Sequence, residues 1–166
     1  MGVCIDEELC RTAQSVVDKL RGAGETIVTA ESCTGGLIAA VLSYGKNASD
    51  CLHGGFVVYT KAHKSTALGV DVALLRDRGS VNADVAAQMA EGALRRSRAS
   101  VAVSVTGVLG PDPDEDGNPP GLVVIGVARS GHAATVERHE FERAHPDVIR
   151  KNTVLRALAR VSSAIP

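Results

Sequence analysis

Apolar positions recur along this chain with two different periods. Over residues 6–22, Leu9, Ala13, Val16, Val17 and Leu20 fall at helical spacing, and Gly22 and Gly24 stop the pattern. Thr26–Ala30 is short and β-branched, which predicts a strand. Gly35–Ser43 is rich in Ala and Leu and predicts a helix. Gly54–Tyr59 reads as a second strand, Lys61–Leu68 as a helix closed by Gly69, and Val72–Arg76 as one more turn. Asn82 is placed to cap a helix reaching Arg96, with Val85, Met89 and Ala93 on one face. Ser100–Val105 and Leu122–Ala128 predict a third and a fourth strand. Ala133–Phe141 predicts a fifth, and the RSGH turn before it favours an antiparallel hairpin. Pro146 opens a final helix carrying Val148, Ile149, Val154, Leu155, Leu158 and Val161.

Helices alternate with strands early and a hairpin comes late. This order predicts a three-layer α/β/α sandwich around a mixed, mostly parallel sheet of about five strands. TIVTA and SVAVSV are nearly continuous apolar runs, as strands covered on both faces require. The 166 residues suffice for one domain, expected over 1–166.

Composition narrows the function classes. A net charge of -1 gives no basic footprint for nucleic acid and no polybasic membrane signal. Two Phe, two Tyr and no Trp are too few for a base-stacking platform. No apolar run approaches the ~20 residues that span a bilayer. Acids occupy the N-terminus (MGVCIDEELC) where a signal peptide needs basic residues and an apolar run. Cysteines at 4, 10, 33 and 51 form no metal or disulfide pattern. A reduced, cytoplasmic protein is expected.

Three polar clusters punctuate the apolar pattern. The first is Glu31-Ser32-Cys33-Thr34-Gly35-Gly36, between a strand and a helix. In open α/β sheets ligands collect at carboxyl ends of strands, and the amides opening a helix favour an oxyanion or phosphate. Ser32 is a candidate nucleophile there, and Cys33 a rival, since a helix N-terminus lowers thiol pKa. The same pattern also suits a plain N-cap by Ser32 or Thr34. The second cluster, VVYTKAHKSTALGV, places Lys61 and Lys64 on one helical face. A lysine disfavoured by a helix N-terminus and by burial can act as base for a serine; two solvated lysines fit as well. His63, flanked by lysines, reads as exposed. The third cluster, SVTGVLGPDPDEDGNPPG, ends a strand at Thr106-Gly107 and opens an acidic loop. Asp112, Asp114, Asp116 and Gly117 imitate the start of an EF-hand. Val123 stands where its closing Glu belongs, and LVVIGV reads as strand, so no metal site is expected.

Together these clusters resemble the C-terminal domain of the CinA (competence/damage-inducible protein) family. The motifs are TAESCTGG (29–36), GGFVVYTKAHKSTALGV (54–70), GSVNADVAAQMAEGA (79–93), and VTGVLGPD with PPGLVVIGVA (105–128). The resemblance runs from Leu9 to Leu158. It implies a mixed-sheet α/β/α fold without metal or cofactor. It also implies hydrolysis of nicotinamide mononucleotide to nicotinic acid mononucleotide and ammonia, and a tendency to form homo-oligomers. By motif it implies Ser32 as nucleophile, Lys64 as base and Tyr59 as a third catalytic group. Cys33, Thr34, Gly35, Gly36, Lys61, Thr106, Gly107 and Arg150 are then the substrate-binding set.

The chain departs from the family pattern in several places. Lys61 stands where a polar uncharged residue is usual, Leu109 where Ala is usual, and DPDEDGN where the loop is usually glycine-rich. Ala144-His145-Pro146 replaces a Gly-Asp-Arg whose arginine suits a phosphate; Arg150 and Arg143 are the candidates to replace it. The molybdopterin-binding-like domain of full-length members is not expected within this sequence. A non-catalytic nucleotide- or phosphate-binding module of the same fold is the alternative to the hydrolase.

Overall fold

The computed structural model describes residues 5–142 and 144–166. Cys4 and Arg143 lie outside them. The chain runs α1 (Glu7–Ala23), β1 (Ile27–Glu31), α2 (Leu37–Ser43), a 3-10 turn (Ala48–Asp50), β2 (Leu52–Val57), α3 (Lys61–Leu68), α4 (Val72–Arg78), α5 (Ala83–Arg95), β3 (Val101–Gly107), β4 (Leu122–Arg129), β5 (Thr135–Glu140) and α6 (Pro146–Ala164).

Local chemistry sets most boundaries. Asp6 caps α1 by accepting from Leu9 N at 3.0 Å, and Gly24 ends the helix in the left-handed conformation. Thr60 caps α3 through His63 N, and Asn82 caps α5 through Val85 N. Pro146 occupies the first turn of α6, where its missing N–H is no loss.

The five strands form one sheet in the order β2-β1-β3-β4-β5. β1 pairs in parallel with both β2 and β3, whereas β3–β4 and β4–β5 are antiparallel. Only β4 therefore runs against the others, which agrees with a mixed, mostly parallel sheet. The carboxyl ends of β1, β2, β3 and β5 meet at one edge, beside the start of β4.

Strand alternation sends side chains to two cores. Ile27, Val101, Val103, Val105, Val123 and Ile125 face α1, α2 and α6. Val28, Ala30, Ala102 and Ala128 face α3, α4 and α5. The second face is built from small residues, so α5 lies close to the sheet. Ser104 Oγ donates to the Ala86 carbonyl of α5 at 2.6 Å, and a Cβ on Gly126 would sit 2.7 Å from that same carbonyl.

Several elements differ from the sequence pattern: β2 runs Leu52–Val57 rather than Gly54–Tyr59, and β5 runs Thr135–Glu140 rather than Ala133–Phe141. α2 begins at Leu37, not Gly35, because Gly35 and Gly36 both take positive φ (62° and 96°) and form a turn. The 3-10 turn at Ala48–Asp50 follows Asn47 at φ 63°, a tertiary fit with no periodic signal. No helix among the described residues is long and apolar enough to cross a membrane.

Candidate active site

The TAESCTGG segment leaves the sheet at Glu31. Ser32 N donates to Val105 O at 3.0 Å, and Val58 N donates to Glu31 O at 2.8 Å, so the loop starts pinned between its neighbouring strands. Glu31 is fully buried. Its Oε1 accepts from Thr29 Oγ1 (3.0 Å) and Ala39 N (2.9 Å). Its Oε2 accepts from Thr34 Oγ1 (2.7 Å), Gly36 N (3.1 Å) and Ile38 N (2.9 Å).

Neither Ser32 nor Thr34 caps α2; Glu31 does so from the strand behind it, and the Thr34 hydroxyl turns inward to that carboxylate. Nor do the amides opening α2 form the expected anion cradle. The N–H groups of Gly36, Ile38 and Ala39 are taken by Glu31, Gly35 N donates to Ser32 O, and Leu37 N donates to Thr34 O. Among the described residues, the N–H groups of Cys33 and Thr34 are the ones in this turn left without an acceptor.

The second cluster delivers a lysine. Lys64 is buried to 1% exposure, although it lies on an eight-residue polar helix. Its Nζ lies 2.8 Å from Ser32 Oγ, 3.0 Å from Val58 O and 3.1 Å from Tyr59 O. Burial pushes the amine down to about 8, with Lys61 acting in the same direction and Glu115 against it. At neutral pH about one-tenth of the molecules then carry it uncharged.

Lys61 shares the helix but not the site. Its Nζ is 2.5 Å from Asp116 Oδ1 and 3.1 Å from Glu115 Oε1. The hydrogen bond to Asp116 raises its pKa, which keeps it a cation. It does not line the cleft; it fastens the acidic loop. His63 is exposed. The phenol of Tyr59 is also largely exposed, at the rim, and the residue meets Lys64 through its carbonyl.

Cys33 lies beside Ser32, but burial pushes its thiol up to about 12. The direction is opposite to that expected of a helix N-terminus. The dipole of a seven-residue helix already capped by a carboxylate does not offset desolvation.

The third cluster closes the far wall. Thr106 Oγ1 donates to Ser80 O at 2.8 Å, joining the end of β3 to the turn before α5. Gly107 follows at the sheet edge, where a Cβ would meet Leu122 O at 2.7 Å. The acidic loop folds on itself: Asp114 accepts from the N–H groups of Asp116 and Asn118 at 3.0 and 2.8 Å. Asp116 Oδ2 accepts from Ser80 N at 3.2 Å. The carboxylates that imitate an EF-hand thus serve the loop, Ser80 and Lys61.

These walls enclose a cleft of about 370 Å³ lined by Ser32, Cys33, Tyr59, Ser80, Thr106, Gly107, Glu115 and Arg150, among others. An adjoining hollow is lined by Cys33–Leu37, Tyr59, Asp147 and Arg150. Arg150, on the second turn of α6, reaches both and is held by Asp147 Oδ1 at 3.0 Å. The structure thus gathers Ser32, Cys33, Tyr59, Thr106, Gly107 and Arg150 at one cleft, with Lys64 behind its floor. Thr34, Gly35 and Gly36 border the adjoining hollow, and Lys61 stands apart.

Sequence reasoning missed Glu31 and Ser80. A glutamate ending an apolar strand was a usable signal, because a buried carboxylate demands donors and the next eight residues supply four of its five. Ser80 contributes through its backbone, which no residue type announces.

An open α/β sheet with a serine hydroxyl and a buried amine in contact at its carboxyl edge defines the class: an α/β/α protein with a Ser–Lys pair in a cleft. Comparison with known proteins then gives the lineage. The chain belongs to the CinA family: the model of the CinA C-terminal domain matches residues 10–165. It is 35% identical over 153 residues to the nicotinamide-nucleotide amidohydrolase PncC of Escherichia coli K12, covering 92% of each protein. It is 43% identical over 116 residues to a CinA-like protein of Chlorobium phaeovibrioides, covering 70% of this chain but spanning only 27% of that protein. The crystal structure of the competence/damage inducible protein CihA from Agrobacterium tumefaciens superposes with a TM-score of 0.90 at 35% identity, covering 95% of this chain and 96% of that one.

Proposed function

We propose that this chain is an amidohydrolase that converts nicotinamide mononucleotide to nicotinic acid mononucleotide and ammonia through an acyl-Ser32 intermediate. One observation carries the reading: the Lys64 amine, buried and 2.8 Å from Ser32 Oγ, has two further partners that are both carbonyls. An uncharged amine has two N–H groups and one lone pair. With the N–H groups donated to Val58 and Tyr59, the lone pair is left facing the serine hydroxyl, where a base is needed. The kinship with PncC over nearly the whole of both chains supports the substrate.

In this reading Ser32 Oγ bonds to the carboxamide carbon while its proton passes to Lys64. The carbonyl electron pair moves onto oxygen, where the Cys33 and Thr34 N–H groups receive it. Lys64 returns the proton to nitrogen, the C–N bond breaks and ammonia leaves. A water molecule, deprotonated by the same amine, then attacks the acyl carbon, and Ser32 departs with a proton from Lys64. Arg150, reaching both hollows, supplies positive charge for the phosphate.

The test is ammonia release from nicotinamide mononucleotide by purified protein. Wild type turns over and Ser32→Ala falls to background. Unchanged turnover in Ser32→Ala rejects the mechanism. Calorimetric binding by wild type without ammonia release replaces the hydrolase by a nucleotide-binding module.

A further inference from the structure

Among the described residues, two charged side chains are fully buried: Lys64, already given a role, and Glu31, which touches neither the cleft nor Lys64 by any hydrogen bond. Burying a carboxylate is costly unless its oxygens are well supplied with donors. A neutral cap such as Ser or Asn would close α2 without burying a charge. Glu31 does something that such caps cannot do, because it collects donors from β1, from the turn and from α2 together.

The five donors are distributed unevenly along the chain. Thr29 precedes Glu31 on the strand; Thr34 and Gly36 lie in the turn; Ile38 and Ala39 lie in α2. Ser32 and Cys33 are the residues bracketed by these anchors. With the Gly35 N–H closed onto Ser32 O as well, the turn has little freedom left. Its remaining open N–H groups are those of Cys33 and Thr34, next to the Ser32 hydroxyl. The same carboxylate therefore holds the nucleophile and determines which amides stay available to an oxyanion.

We propose that Glu31 is a positioning residue, whose buried carboxylate fixes the Ser32 hydroxyl and the Cys33–Thr34 amides in their mutual geometry for acyl transfer. The proposal rests on the Ser–Lys reading. It needs a carboxylate specifically. Glutamine keeps the shape but replaces one oxygen by an NH2 group. In one amide orientation the Ala39 N–H then faces a donor and in the other the Gly36 and Ile38 N–H groups do, while the threonine hydroxyls must turn round to accept.

The experiment follows Ser32 by two independent readouts in wild type, Glu31→Gln, Glu31→Asp and Thr34→Val. One is the steady-state release of ammonia from nicotinamide mononucleotide. The other is the rate of Ser32 sulfonylation by phenylmethanesulfonyl fluoride, read by mass spectrometry, which requires no knowledge of the substrate. Glu31→Gln is expected to lower kcat and the sulfonylation rate about 10²-fold, as for a misplacement near 1 Å, with KM within about two-fold. The pH midpoint of either rate, set by Lys64 from another element, is expected to stay in place. Thr34→Val, which removes one of the five bonds, moves both rates the same way by a smaller factor and serves where Glu31→Gln fails to fold. Glu31→Asp, which keeps the carboxylate but shortens it, recovers part of the loss.

Sulfonylation of Glu31→Gln and Thr34→Val at the wild-type rate overturns the proposal. So does a pH midpoint that shifts in step with the lost rate, since that marks a general loosening around Lys64. Wild type inert to both nicotinamide mononucleotide and the sulfonyl fluoride overturns the Ser–Lys reading itself. Wild type sulfonylated but inert to the nucleotide rejects only the substrate and leaves the Glu31 comparison decisive.

Discussion

Lys61 and Asp116, 55 positions apart, are joined at 2.5 Å, and this contact ties the acidic loop to the helix that carries Lys64. The other Asp116 oxygen receives Ser80 N, so one carboxylate links three segments around the cleft.

Breaking this contact should affect binding before chemistry. Lys61→Gln and Asp116→Asn are each expected to raise KM for the nucleotide roughly three- to ten-fold and to leave kcat within about two-fold, the scale of a part-exposed ion pair. Added salt should move the wild-type KM in the same direction. A KM indifferent to both substitutions and to salt removes the loop from substrate binding.

The pH dependence follows from the buried amine. With Lys64 lowered to about 8, kcat/KM is expected to climb tenfold per pH unit below that value and to level off above it. Lys64→Ala should cost at least about 10³-fold in kcat. A flat profile between pH 6 and pH 9 would contradict the assignment of the base.

The same shift has a consequence for stability. The unfolded chain holds this lysine at its ordinary 10.5, so in the window between about 8 and 10.5 the unfolded state binds the extra proton and stability rises with pH. The full span is worth about 3 kcal/mol. Urea unfolding at several pH values in wild type and Lys64→Met checks it: the Lys64 part of the slope vanishes in the variant.

Cys33 should be chemically quiet despite its place beside Ser32. Its thiol, pushed up to about 12 by burial, holds almost no thiolate near neutral pH. Iodoacetamide is expected to leave Cys33 unmodified in the native protein and to alkylate it after unfolding, as peptide mass spectrometry would show. Rapid native alkylation would restore it as a rival nucleophile.

Gly126 tests the close approach of α5. A methyl group there would lie 2.6 Å from Ser104 Oγ and 2.7 Å from the Ala86 carbonyl. Gly126→Ala is expected to cost about 1–3 kcal/mol by overpacking. A melting temperature equal to that of wild type would mean that α5 yields freely.

The strands and helices were largely legible because both have simple periods. Lys61–Leu68 was read with its ends correct, since Thr60 and Gly69 are local stop signals. β1 and β3 were read one residue early at their starts and one and two residues short at their carboxyl ends, because Glu31, Thr106 and Gly107 are polar or small and yet pair in the sheet. Of the site, the three polar clusters were visible at strand ends. The separation of Lys64 from Lys61 was not, because a shared helical face says nothing about which neighbour lies across from each.

By itself the sequence determined the order of helices and strands, that both faces of the sheet would be covered, that serine and Thr-Gly would stand at strand ends, and that two lysines would share the helix after a strand. These depend on neighbours within a turn or a pleat, which local order already contains. The tertiary structure alone decided that one lysine is buried against Ser32 while the other clasps Asp116, and that Glu31 rather than Ser32 or Thr34 caps α2. Those outcomes are set by desolvation and by donors brought from distant segments, quantities that exist only once the sheet has assembled.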